Sequence, residues 1–435
     1  MEGIHRQFPR LSRRGFLQAT GAAGAAAALS SACGAGGSGG GGSDTLRLLC
    51  EAGGKAELTR IAQLFTEETG TKVTFIELPY DGLFNRLSSE LPADSLSFDI
   101  AALDAIWLPT FAEVLRPLDE LFTQAVQDDL FPALVAEAQV GGSFVGMPAW
   151  TNAEILFYRT DLFEDAREQR EFEDRFGYPL APPTTWEQFQ DTAEFFTRGT
   201  DLYGTDVKGA VETEWLAHVL QAGSPGVVLD ADNGVIIDND EHLAALRFSS
   251  DLNNRLRVSP PGAAQLDWGG AQNLFHQGKT AMMRFWAHAY PMVPEDSPVH
   301  GKVGVAPMIG GEAGIGAIPG PWYLSIPEAG GNGDVAADFI RFAYEHNELA
   351  VDSDLGLAAR KSVVSDFAAR PGYEHFAALL PTLDARATRP RPASPKWQQI
   401  VDDVLIPTLQ QSLASGADYA ALLATAREDV ERLVQ

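Results

Sequence analysis

An α/β fold in two lobes is what this sequence predicts, and three observations carry the prediction. Strand-like and helix-like hydrophobic periods alternate as β-α-β-α-β over residues 46–103, the pattern of a parallel sheet with right-handed crossovers. The region 165–300 changes character to helical patches separated by Gly, Pro, Asn and Asp, which marks a second lobe. At 435 residues, the chain also exceeds what one typical core accommodates, and its length points to about two domains.

Taken in order, residues 1–33 read as an export signal. Arg6, Arg10, Arg13 and Arg14 come first, then a small and apolar run over 15–29, then Ser30-Ser31-Ala32-Cys33. The run is too short and too rich in Ala and Gly for a membrane span. Ser12-Arg13-Arg14-Gly15-Phe16-Leu17 resembles a twin-arginine motif, and Ser-Ser-Ala-Cys resembles a bacterial lipoprotein box with Cys33 as the lipidated residue, although Ser30 stands where Leu is usual. Residues 34–43 form a Gly/Ser tether with no capacity to pack. Its Gly36-Gly37-Ser38-Gly39-Gly40 matches a nucleophile elbow in letters alone, since no strand precedes it and no helix follows.

Residues 46–50 read as the first strand, closed by Cys50 as a buried small hydrophobe. A helix follows with Leu58, Ile61, Leu64 and Phe65 on one face, and Gly70 stops it. A second strand spans 73–78, a second helix carries Leu83, Phe84, Leu87 and Leu91, and a third strand spans 98–103. Open α/β sheets bind ligands beyond the carboxyl ends of their strands, so the loops 51–55, 79–81 and 104–107 face one crevice. Those loops carry Glu51, Tyr80, Asp104 and Trp107. A carboxylate accepts from several hydroxyls and an indole offers a flat apolar face, a combination suited to a sugar ring; a capping Asp and a core Trp are the plainer alternative.

Residues 141–148 predict a hairpin leading to Ala149-Trp150-Thr151-Asn152, with a strand over 155–158. A helix opens at Thr184, capped with Glu187 and continued by Trp186, Phe189, Ala193 and Phe196. Gly278-Lys279-Thr280 lacks the first Gly of a phosphate loop, because Asn273 holds that place. Strands are expected at 303–307 and 323–326, a helix at 339–349, and a final helix with Leu423, Ala426, Val430 and Leu433 inward.

Composition excludes several classes. Hydrophobic residues make up 45%, so the bulk is globular. The formal charge is −27, and because the first 43 residues hold four Arg against one Glu, the remainder carries −30. Such a surface repels nucleic acid. The two cysteines cannot build a disulfide framework, the eight histidines show no metal-ligand spacing, and no metal or cofactor is expected.

Set in order, several stretches resemble one family: extracellular solute-binding proteins (family 1) of sugar ABC importers, in the group of maltose- and trehalose-binding lipoproteins. They are Asp104-x-x-Trp107 with Leu115-Arg116-Pro117-Leu118-Asp119; residues 142–148 with Leu156-Phe157-Tyr158-Arg159; Pro183-Thr184-Thr185-Trp186; Phe275-x-x-Gly278-Lys279-x-Ala281-Met282; and residues 301–307. Each stretch is weak alone, and the order and spacing carry the resemblance through nearly the whole mature chain. It implies a two-lobed periplasmic-binding-protein fold with a multi-strand hinge over a ligand cleft. The expected division is 44–148 with 303–346 for the N-terminal lobe, and 149–302 with 347–435 for the C-terminal lobe. It implies that Asp104 takes sugar hydroxyls, and that Trp150 and Asn152 occupy ligand-contacting places. The resemblance further implies that Trp286 and Trp322 supply stacking walls and Arg360 a hydroxyl-facing guanidinium. Asn152 replaces a frequent Asp, and Gly320-Pro321-Trp322 replaces a Gly-Gly-Trp.

The function implied is a non-enzymatic, monomeric lipoprotein at the outer face of the cytoplasmic membrane, delivering a sugar or glycoside to permease subunits. A secreted carbohydrate-active enzyme is the rival, but no carboxylate pair stands in an identifiable motif. A surface scaffold predicts repeats, and none is present.

Overall fold

The computed structural model describes residues 45–435 apart from 53, 94, 95, 231, 232, 354 and 355. The export signal, the tether and Cys33 lie outside the described residues.

The alternation read from the sequence builds the first sheet. Strand β1 (Thr45–Glu51) leads to helix α1 (Lys55–Thr69), which Gly70 ends in the left-handed conformation at φ 78° while its N–H caps Thr66 O at 2.9 Å. Strand β2 (Lys72–Leu78), helix α2 (Tyr80–Glu90) and strand β3 (Ile100–Asp104) follow. The third strand starts two residues later than expected, because Asp99 is drawn into an ion pair with Arg47 at 3.0 Å just before it. Cys50 is fully buried, and burial pushes its thiol up to about 12, as a small core hydrophobe requires.

Strand β4 (Met147–Trp150) belongs to this sheet, whereas β5 (Glu154–Arg159) does not. The helical region opens with the helix Ala166–Phe176, and α3 (Trp186–Phe196) follows, whose cap is Thr185: its hydroxyl accepts from Gln188 N, one residue on from the expected Thr184. Helices α4 (Thr213–Ala222), α5 (Asp240–Asn254) and α6 (Trp268–His276) follow, then β6 (Met282–Trp286), β7 (Val303–Ala306) and β8 (Trp322–Ser325). The chain ends in helices, the last being Tyr419–Val434 with Leu423, Ala426 and Val430 buried.

Besides two short two-stranded pairs, two larger sheets result among the described residues. The first has the order β2-β1-β3-β8-β4, with β1 parallel to β2 and β3 and with β8 antiparallel to β3 and β4; the second has the order β6-β5-β7, all antiparallel. Residues 303–306 were expected to open the return to the first lobe. They pair instead with β5, and the return is made by Trp322–Ser325. An apolar alternation fits either sheet equally, so only the long-range partner decides. Two crossing segments therefore join the sheets, residues 151–153 and residues 307–321, tied together where Gly320 N donates to Asn152 O at 2.8 Å.

Candidate functional site

Register brings the candidate residues together at one end of the first sheet. Trp322 at the start of β8 lies opposite both Asp104 at the end of β3 and Trp150 at the end of β4. Residues directly opposite across an antiparallel pair share a face, so the three side chains form one patch. In the second sheet Glu154 lies opposite Trp286, which places Trp286 beside the crossing segment that carries Asn152. Between these walls is a cavity of about 210 Å³, lined by Asp104, Trp150, Asn152, Trp286 and Trp322 together with His288, Gly320, Leu357 and Arg391.

The aromatic walls are held by packing. Trp150 and Trp322 stack with centroids 6.0 Å apart and planes 20° apart, and Trp322 meets Trp107 edge-on at 5.8 Å. Trp286 leans on Trp268 at 5.4 Å. Gly320 passes close beside it: a Cβ there would lie 3.0 Å from the Trp286 ring, closer than ordinary van der Waals contact. Trp286 and Trp322 remain half-buried and present ring area to the cavity.

The polar groups are equally fixed. Asp104 accepts from Tyr80 Oη at 3.0 Å and from Ile106 N at 3.2 Å, and Arg391 Nη2 lies 3.3 Å from Asp104 Oδ1. Burial works against the charge of Arg391, yet the carboxylates of Asp104, Glu137 and Glu212 outweigh it and raise its pKa. The same Asp104 charge acts on its neighbours: burial first, then Asp104, raises both the Tyr80 hydroxyl and the Glu51 carboxyl. Asn152 Oδ1 accepts from Ala153 N at 3.0 Å and Ala287 N at 3.1 Å. That fixes the amide so that Nδ2 donates to His288 Nδ1 at 2.7 Å. Burial lowers His288 to about 4, so the ring is neutral near pH 7 and carries its proton on Nε2. The site thus offers one carboxylate acceptor, a guanidinium and three indole rings, a set whose chemistry suits hydroxyl-rich rings rather than a metal ion.

The structure sorts the remaining candidates. Trp107 is nearly fully buried and Tyr80 packs against it at 4.7 Å; both stand behind the cavity and support Asp104 and Trp322. Glu51 ends β1 without lining the cavity. Arg360 is elsewhere: its Nε donates to Asp129 Oδ2 at 2.7 Å, its Nη1 reaches Glu345 O at 3.1 Å, and its guanidinium covers the Tyr344 ring. The guanidinium at the cavity belongs to Arg391, which the sequence reading missed, as it missed His288. The available signal for Arg391 was its place in Arg389-Pro390-Arg391-Pro392, a rigid basic loop in a strongly acidic chain. Among the described residues no cluster of His, Cys, Asp or Glu could hold a metal ion, and no helix is long and apolar enough to cross a membrane.

Comparison with known proteins places this geometry. A family model described as bacterial extracellular solute-binding protein matches residues 51–347. A Deinococcus radiodurans protein named a probable ABC transporter-binding protein is 27% identical over 330 residues, covering 71% of this chain and 74% of the relative. Two solved structures share the fold. The sugar-binding protein MalE from Xanthomonas citri has a TM-score of 0.74 at 21% identity over 90% of this chain and 97% of that one. An ABC transporter solute-binding protein from Thermotoga lettingae, bound with α-D-tagatose, has a TM-score of 0.73 at 24% identity over 90% and 100%.

Proposed function

The chain belongs to the bacterial extracellular solute-binding proteins, and from that premise we propose that it captures a neutral sugar or glycoside and hands it to the permease of an ABC importer. The observation that carries the ligand class is the cavity itself: Trp150, Trp286 and Trp322 as apolar faces around the Asp104–Arg391 pair. An amino-acid receptor needs separate partners for an ammonium and a carboxylate, whereas here the charged groups already satisfy each other and offer lone pairs and N–H groups to hydroxyls. Two relatives support this class, since the Thermotoga protein holds tagatose and a Pseudomonas aeruginosa relative is named a mannitol-binding protein, whereas a Sinorhizobium fredii relative is named a probable amino-acid ABC transporter periplasmic-binding protein, so the cavity chemistry rather than the relatives' names carries the choice.

In this reading Asp104 and Arg391 grip hydroxyls, and the three indoles stack on the ring. Asn152 orients His288, while Tyr80 and Trp107 hold the shape of the pocket. The twin-arginine segment exports the chain, Cys33 carries the lipid, and residues 34–43 let a monomeric receptor stand off the outer face of the cytoplasmic membrane. Asp104 is the one carboxylate among the described residues lining the cavity, which supports capture without hydrolysis.

A thermal-shift screen against mono- and disaccharides tests the ligand class, because a ligand at a hundred times its Kd adds about 2.7 kcal/mol of stability. Recovery of one equivalent of intact sugar after incubation supports the receptor, and any turnover refutes it. Cys33→Ser is expected to move the protein from the membrane fraction to the soluble fraction; retention in the membrane removes the lipid anchor.

A further inference from the structure

Asn152 is the expected ligand contact between the two sheets, yet its amide is committed within the protein. Asn152 is 6% exposed, and its Oδ1 accepts from two backbone N–H groups, those of Ala153 at 3.0 Å and Ala287 at 3.1 Å. Its Nδ2 donates to His288 Nδ1 at 2.7 Å. Little of the amide is left for a solute. His288 is placed differently: it sits in the 3₁₀ turn Ala287–Ala289 just after Trp286, is half-buried, and lines the Trp-walled cavity.

The two nitrogens of the His288 ring have different fates. Nδ1 faces an amide nitrogen that can only donate, because Asn152 Oδ1 is held by the two backbone N–H groups. Nδ1 is therefore the lone-pair nitrogen, and in a ring that burial keeps neutral near pH 7 the proton sits on Nε2. Nε2 has no hydrogen-bond partner among the described residues, yet it is not sealed from solvent, so this donor keeps accessible surface where the ring lines the cavity. The turn beneath it is clamped. Ala287 N also lies 3.1 Å from Ala153 O, and the Phe285 ring stands 6.5 Å from the imidazole. The protein itself thus fixes the donor, which lowers the ordering cost of binding.

We propose that His288 is a specificity-determining ligand contact, its Nε2–H donating to one hydroxyl oxygen of the sugar, and that Asn152 is a positioning residue that sets the tautomer. The proposal rests on the carbohydrate reading above and adds a third polar contact to those of Asp104 and Arg391. Ionised Asp104 can only accept, whereas Arg391 and His288 Nε2 can only donate; a hydroxyl serves either kind of partner and a C–H serves neither. A deoxy sugar without the hydroxyl that meets His288 therefore leaves Nε2–H unpaired in the cavity.

Calorimetry on the purified full chain first identifies which of glucose, galactose, mannose, tagatose, mannitol, maltose and trehalose bind. Monodeoxy forms of the tightest binder are then compared in the parent protein and in His288→Phe, which keeps a flat ring without the N–H. Loss of one neutral hydrogen bond is expected to weaken the intact sugar about three- to tenfold in the variant. One deoxy position is expected to cost a similar factor in the parent and less than about twofold in the variant, while the other positions cost the same in both. A merely structural role lowers every sugar alike. Melting temperature without sugar checks the fold of His288→Phe, and the parent protein gives a readout should that variant fail to fold. In spectra of ¹⁵N-labelled histidine, His288 is expected to carry its proton on Nε2, and that proton's shift is expected to move on saturation with the sugar. Asn152→Asp offers Nδ1 an acceptor and is expected to place a proton there. Deoxy losses equal in both proteins at every position, a parent His288 protonated on Nδ1, or an Nε2 proton indifferent to sugar overturns the contact and leaves the sugar cavity standing. An Nδ1 that stays bare in Asn152→Asp overturns the role of Asn152. Absence of binding by every sugar in the series overturns the carbohydrate reading itself, and this contact with it.

Discussion

Replacing Lys208 by Met is expected to destabilise the second lobe strongly, because it unbalances a charge network closed to water. Lys208 Nζ donates to Asp206 Oδ2 at 2.6 Å and to Glu214 Oε2 at 2.5 Å, and Arg284 Nη2 donates to Glu214 Oε1 at 2.7 Å. Lys208 and Arg284 are both fully buried at the side chain. Two cations therefore balance two carboxylates. The other titratable neighbours stay neutral: burial and the Glu214 charge push Glu154 up to about 8, while burial and the Arg284 and Lys208 charges hold His218 well below its usual range. Met nearly preserves the volume but leaves Asp206 and Glu214 facing Arg284 alone. Removing one partner of a buried ion pair costs about 3–5 kcal/mol. For a folded body of roughly 390 residues, an unfolding entropy of about 2.1 cal/mol/K per residue gives ~0.8 kcal/mol/K, so the melting temperature falls by ~4–6 °C. Scanning calorimetry at pH 7 reads this directly. The double variant Lys208→Met with Glu214→Gln restores the charge balance and is expected to recover at least half of the loss. A single variant that melts within about a degree of the parent, or a double variant less stable than the single, refutes the reasoning. The network also reaches the cavity: Lys208 lies 5.3 Å from the Trp268 ring centre, and Trp268 backs Trp286, so sugar affinity falls along with stability.

Three further outcomes follow from the site. Asp104→Asn removes a charged acceptor that Tyr80 and Arg391 orient, and calorimetry is expected to show sugar binding weaker by ~1.5–3 kcal/mol; unchanged affinity takes Asp104 out of the site. A sugar that touches Trp322 on one sheet and Trp286 on the other reaches both fully only when the cleft shuts, so X-ray scattering with saturating ligand should report a smaller radius of gyration; superimposable curves contradict closure. Glu137 is raised to about 8, by burial first, from a reference of 4.5. Its stabilising contribution is therefore complete below about pH 4.5 and lost as pH rises toward 8. Glu137→Gln should flatten the decline in melting temperature between pH 5 and 8, and parallel declines in the two proteins remove Glu137 from the account.

Local chemistry was legible in the sequence, and partner choice was not. The helix that Gly70 ends, the strands at 46–50 and 73–78 and the inward Leu423, Ala426 and Val430 all follow from hydrophobic period and a single backbone requirement, which neighbours in sequence determine. Val303–Ala306 shows the limit. Its composition says strand, yet its assignment to β5 rather than to the first sheet depends on pairing with residues nearly 150 positions away. The same limit explains the third strand, whose start is set by a long-range pair between Arg47 and Asp99.

The two arginines make the argument for the site. Arg360 and Arg391 are alike in chemistry, each is partly buried, and each pairs with an aspartate far away in sequence: Arg360 with Asp129, Arg391 with Asp104 across 287 positions. A sequence shows that an acidic cleft needs a guanidinium but not which aspartate will claim which arginine. The pairing also bears on the charge of the proposed ligand. Arg391 sets a fixed cation against Asp104 inside a cavity whose other lining residues, three indoles among them, are uncharged, so this pair carries no net charge even though residues 44–435 carry −30. Exposed charges more than about 8–10 Å apart are largely screened at physiological salt, whereas a pair in a partly closed cavity acts at full strength on what it touches. The acidic surface therefore governs solubility and repulsion from anionic polymers, and the local neutrality of Asp104 and Arg391 is what suits the cavity to the uncharged, hydroxyl-bearing solute proposed above.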